Sequence, residues 1–177
     1  MLKLNSRAAA VMVAAGVLLF GTFSLSSCTD SRQSEVSENE ISEQNETNAY
    51  YTFKDSTGKT VSLEKKPEKV AVLFSSYADM WADAGGDIFV TVGETVERGF
   101  ADEEVKLVDS GAGKTIDEEL LISYEPDFVI CSADIEAQLK ASELLDSAQI
   151  PSAAFTVESF EDYAGVMKIL TDITQNK

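Results

Sequence analysis

The chain has 177 residues, room for one ordinary domain and not for two full ones. Its 31 acidic residues against 14 basic ones give a net charge of −17, which excludes the basic stripe of a nucleic-acid binder, while a hydrophobic fraction of 44% is that of a folded protein. The absence of histidine removes Ser–His and Cys–His nucleophile pairs and imidazole-bound zinc, and it points away from an enzyme.

Residues 1–27 read as a signal peptide. Lys3 and Arg7 form a short basic start, and no charged residue follows from Ala8 to Thr29. The apolar run closes on Leu25-Ser26-Ser27-Cys28, which resembles the bacterial lipobox. There a small residue precedes a cysteine whose thiol takes diacylglycerol and becomes the mature N-terminus. Cys28 is thus the candidate lipidation site; an uncleaved anchor helix is the alternative.

Residues 28–49 hold the lipidated Cys28 and an acidic tether. From residue 29 on, six acids face Arg32 alone, and only Val36 and Ile41 are large aliphatics. Such a stretch cannot bury enough apolar surface to offset its ordering entropy, so it is expected to be disordered.

The foldable chain spans 50–177. Tyr50–Phe53 and Lys59–Leu63 flank Asp55-Ser56-Thr57-Gly58 and predict a β-hairpin. Five apolar runs follow as strands: Val70–Phe74, Ile88–Val92, Val105–Val108, Phe128–Cys131 and Ala153–Val157. Helical spacing lies between most of them, through Tyr77, Met80, Trp81 and Ala84, then over residues 133–147 and 158–173. The expected fold is α/β: a three-layer, Rossmann-like lobe with a central, mostly parallel sheet flanked by helices and preceded by the hairpin.

Several residues invite a chemical reading. Gly111-Ala112-Gly113-Lys114-Thr115 lies where a phosphate-binding loop would, but that pattern needs a glycine where Val108 stands. A tight glycine turn at the sheet's carboxyl edge is expected instead. Asp102-Glu103-Glu104 is expected to be a solvated helix start. Arg98, the only arginine after Arg32, is placed in a loop after the Ile88–Val92 strand. It is either a surface residue or the one fork-shaped donor for an anion. Trp81, on the apolar helix face, and Cys131, closing a buried strand, are expected in the core.

Three stretches carry a family resemblance: Lys66-Pro67-Glu68-Lys69-Val70-Ala71-Val72, the helix end Gly85-Gly86-Asp87, and Asp117-Glu118-Glu119-Leu120-Leu121-Ile122-Ser123-Tyr124-Glu125-Pro126-Asp127-Phe128-Val129-Ile130. With the lipobox, tether and hairpin before them, residues 50–177 resemble the N-terminal lobe of the iron-siderophore/haem/cobalamin family of periplasmic-type substrate-binding proteins of ABC importers. Tyr124-Glu125 and Phe128 are mild departures from that pattern. Members of the family clamp a ligand between two α/β lobes, and the second lobe is not found in this sequence.

The resemblance implies a non-enzymatic protein, lipid-anchored on the extracytoplasmic face of the membrane. It would capture a small-molecule ligand (a ferric siderophore, haem or cobalamin) and deliver it to ABC permease subunits, with no resident cofactor, no directly bound metal and no nucleic acid. Its ligand surface would be the carboxyl edge of the sheet, with Ser75, Ser76, Tyr77, Arg98, Gly111, Lys114 and Ser132 in the loops there. Glu119 matches the glutamate with which the family docks on permease arginines. The alternatives are a non-catalytic surface or adhesin lobe and an exported α/β hydrolase-like enzyme. Against the latter, neither a Gly-x-Ser-x-Gly elbow nor a histidine is present.

Overall fold

The computed structural model describes residues 49–109 and 115–176. Strand β1 (Tyr51–Lys54) pairs antiparallel with β2 (Thr60–Leu63), placing Phe53 opposite Val61, as the hairpin reading predicts. The five apolar runs are the five strands of a second sheet: β3 (Val70–Val72), β4 (Val90–Thr91), β5 (Lys106–Leu107), β6 (Phe128–Ser132) and β7 (Ser152–Phe155). Their order is β5-β4-β3-β6-β7, and every pairing is parallel. Helices α1 (Ser75–Asp83), α2 (Gly93–Glu97), α3 (Glu118–Ser123), α4 (Glu136–Ser147) and α5 (Phe160–Thr174) connect or follow the strands.

The core forms on both faces of this sheet, because side chains alternate along an extended strand. Val70 and Val72 face one side with Phe128, Ile130 and Phe155, under the hairpin, α1 and α5. Ala71 and Leu73 face the other with Val129 and Cys131, against Leu121 of α3 and Leu145 of α4. Trp81 and Cys131 are both in the core, as expected. Each fully buried side chain of Phe or Ile size stabilises by about 2 kcal/mol, an upper value because the unfolded chain already hides some surface. Pro67, Pro126 and Pro151 precede β3, β6 and β7, and all three line a cavity of about 440 Å³ at the sheet's amino edge.

The turn of the hairpin covers the free edge of β7. Asp55 Oδ2 accepts from Ala154 N at 3.0 Å, Ser56 N donates to Ala154 O at 3.1 Å, and Thr156 N donates to Ser56 Oγ at 3.0 Å. Lys59 Nζ then reaches Asp146 at 2.6 Å and Ser152 Oγ at 3.0 Å. An edge whose polar groups are already bonded offers no template to another strand.

Two expectations need correction. The stretch after β4 is not a loop but the short helix α2, which Arg98 ends as its C-cap. Thr91 Oγ1 donates to Val72 O at 2.8 Å and bonds Thr95 Oγ1 at 2.8 Å, so two buried hydroxyls fix α2 against β3 and β4. Asp102-Glu103-Glu104 are exposed as expected, but they form a turn, closed by Val105 N on Asp102 O, and start no helix.

Candidate functional site

The strand order fixes where a ligand can sit. From β3 the chain builds outward to β4 and β5, then returns to lay β6 on the other side of β3. The loops leaving β3 and β6 at their carboxyl ends therefore run in opposite directions, and the crevice between them is the position at which open α/β sheets bind ligands.

Ser75, Ser76 and Ser132 are brought together at this reversal. Ser75 and Ser76 open α1 directly after β3, and Ser132 ends the adjacent β6. α1 begins without a side-chain cap, since Phe74 occupies the capping position, so its first-turn N–H groups and the positive end of its dipole face the carboxyl edge. Ser75 is 1% exposed, and among the described residues its Oγ is the buried side-chain polar atom that has no hydrogen-bond partner. Ser132 is also buried, its N–H donating to Gln138 Oε1 at 2.6 Å and its Oγ accepting from Asp134 N at 3.3 Å.

Gln138 is the residue that sequence reasoning missed. It is buried on α4, and its Nε2 donates to Leu73 O at 2.8 Å while its Oε1 takes the Ser132 N–H. One amide thus bridges the ends of β3 and β6 across the crevice and closes the gap between the strands. A ligand would have to rest above it. The signal was available: Gln138 lies three residues after Ile135 and seven before Leu145, on the apolar stripe of the helix.

Tyr77 presents no free hydroxyl. The ring is buried between Phe74 and Phe155, and its hydroxyl donates to Phe155 O at 2.7 Å. Burial, with Asp134 nearby, pushes the phenol up to about 12, so it remains a donor. Its place in the sequence suggested a ligand contact, whereas the structure makes it a strut joining α1 to the end of β7. Arg98 is not brought to the crevice either. It lies at the far end of α2, its Nε 3.1 Å from Glu94. The next residues, Gly99 and Phe100, line a cavity of about 540 Å³ with Gly86 to Phe89, which precede β4 at the amino edge. Gly111, Lys114 and Cys28 lie outside the described residues.

Glu119 is exposed in the first turn of α3. Asp117 caps that helix, accepting from Leu120 N at 2.9 Å, and the dipole favours the acids that follow. Among the described residues no cluster of His, Cys, Asp and Glu could hold a metal ion, and no helix is long and apolar enough to cross a membrane. The Cys131 thiol is pushed up to about 12 by burial, which keeps it protonated and unreactive.

No known protein family matches the sequence, and no curated protein matches it. Solved structures do match. A periplasmic solute-binding protein from Veillonella parvula is 18% identical with a TM-score of 0.59, over 71% of this chain and 41% of its own. The haem-binding protein HmuT is 17% identical with a TM-score of 0.57, over 71% of this chain and 41% of its own. SirA of Staphylococcus aureus, solved with staphyloferrin B, is 18% identical with a TM-score of 0.52, over 71% and 44%. The chain therefore spans less than half the length of these proteins. At such identities the likeness is one of fold: the described lobe is built as an α/β lobe of periplasmic binding proteins is built.

Proposed function

We propose that the chain is the ligand-capturing lobe of a lipid-anchored, extracytoplasmic substrate-binding protein of an ABC importer, its ligand a chelated iron (ferric siderophore or haem) or cobalamin. The observation that carries this reading is the crevice at the strand-order reversal, with the uncapped head of α1, the unpartnered Ser75 hydroxyl and Ser132 gathered there. The solved structures that share the fold support it, since one of them is a haem-binding protein and another was solved with staphyloferrin B.

In this reading Ser75, Ser76 and Ser132 meet the ligand, while Gln138 and Tyr77 hold the loops that carry them. Gly111 and Lys114, which follow β5 in the sequence, are assigned to the ligand surface as well. Cys28 anchors the protein, the tether gives reach, and Glu119 docks on the permease, a kind of contact that guides encounter more than it adds affinity.

A thermal-shift series of the chain against ferric siderophores, haem and cobalamin tests the reading. A ligand at a hundredfold excess over its Kd adds about 2.7 kcal/mol of stability, a rise in Tm of several degrees. A lobe that shifts with none of them would be a surface lobe without ligand. Anchoring is checked by Cys28→Ala, which is expected to move the protein from the membrane fraction or stall its precursor; unchanged partition after signal-peptide cleavage would remove the lipid from the reading.

A further inference from the structure

Among the described residues three large apolar side chains are exposed, Leu144, Phe160 and Tyr163, and two of them lie together. Phe160 is 77% exposed and Tyr163 37%, with ring centroids 6.4 Å apart and ring planes 26° from parallel. Both stand on the first turn of α5, which follows β7 and so lies at the carboxyl edge. The backbone that carries them is capped. Ser159 Oγ accepts from Asp162 N at 3.1 Å, and Asp162 Oδ2 accepts from Ser159 N at 2.9 Å, a reciprocal cap that fixes the turn. A stacked and solvated aromatic pair on a capped turn is a surface that waits for something.

Its surroundings say of what charge. Glu158, Glu161 and Asp162 lie on the same turn and are exposed. Asp134, in the neighbouring loop after β6, is tied to this one by Thr156 Oγ1 at 3.0 Å. No lysine or arginine occurs in residues 132–139 or 156–167. Arg98, the one arginine of the described lobe, is paired with Glu94 at the end of α2, and Lys65, Lys66 and Lys69 precede β3 at the amino edge. The helix dipole accounts for acids at helix starts, but their summed field acts on a ligand all the same.

We infer that the ligand of this lobe is a cationic chelate with an apolar flank, which lies on Phe160 and Tyr163 beside the carboxylates of this turn and of Asp134, and that polyanionic chelates are rejected. Aromatic faces attract cations, and a turn rich in carboxylates repels anions over roughly a Debye length of about 8 Å. The inference rests on the proposed function and narrows it to one charge class.

Calorimetric titration of the whole chain separates the two statements. The probes are a ferric trihydroxamate bearing a free ammonium, the same chelate with that amine acetylated, and an anionic ferric tricatecholate. The ammonium form is expected to bind about tenfold more tightly than its acetylated twin and more tightly still than the tricatecholate. Phe160→Ala and Tyr163→Ala are expected to erase that preference while leaving the circular dichroism spectrum unchanged, since both side chains are solvated. Equal or tighter binding of the tricatecholate would overturn the charge assignment and leave the proposed function standing. Binding of none of the three chelates would count against the proposed function itself and carry the inference down with it.

Discussion

At Asp55 a turn residue carries four hydrogen bonds. Its Oδ1 accepts from Thr57 N, Thr57 Oγ1 and Lys59 N, and its Oδ2 from Ala154 N. The bond from Thr57 N is that of an Asx turn and is legible in Asp55-Ser56-Thr57-Gly58, and those from Thr57 Oγ1 and Lys59 N are as local. The fourth joins residues 99 positions apart, which local spacing cannot reveal. Asp55→Ala would leave the Ala154 and Lys59 N–H groups without these acceptors. Urea unfolding is expected to show a loss of about 3 kcal/mol; a loss below about 0.5 kcal/mol would mean that the turn does not anchor the hairpin. Tyr77 teaches the same lesson in another form. Its helical spacing with Met80, Trp81 and Ala84 pointed to the core, its position after β3 pointed to a ligand, and the Phe155 carbonyl decides for the core.

Among the elements, the strands were the most legible, because each is a short apolar run buried on both faces, as parallel strands are. α2 was not legible: five residues make little more than one turn, too few for a helical period to show. α5 was legible throughout, and its start allows a pH test. The Ser159 hydroxyl, then the Glu158 N–H, hold the Asp162 carboxyl below its usual range. A depressed carboxyl contributes stability above its unfolded value, near pH 3.9, and loses it as pH falls through the folded value. Ser159→Ala is expected to lower stability by about 1 kcal/mol at neutral pH. Below about pH 4 the gap between the two proteins should narrow as the carboxylate is protonated. A gap that stays constant from pH 7 to pH 3 would show that the charge of Asp162 takes no part.

On the scale of the molecule, the carboxyl edge was expected as the ligand surface from the resemblance carried by the stretch from Asp117 to Ile130, whereas the strand order that puts the crevice between β3 and β6 needed the structure. The side chains that finish the crevice, Gln138 above all, needed the packed structure. Glu119 is a prediction at this scale, because it concerns a surface and not a fold. Glu119→Ala is expected to leave stability within about 0.5 kcal/mol and chelate-induced shifts unaltered, while uptake by cells falls. Lost chelate binding with unimpaired uptake would put the residue on the wrong surface. The packing of the N-terminal hairpin on α5 has a consequence of its own. The Tyr50 hydroxyl donates to Ile173 O at 2.8 Å and that of Tyr51 to Asp172 at 3.0 Å, so the hairpin and the end of α5 meet close to residues 49 and 176. The order of elements in space is therefore nearly a closed circuit, and it is indifferent to where that circuit is cut. A circular permutant joined by a short Gly-Ser linker from residue 176 to residue 49, and reopened in the exposed turn at Asp102 to Glu104, should reach the same sheet in the same order from a different starting point.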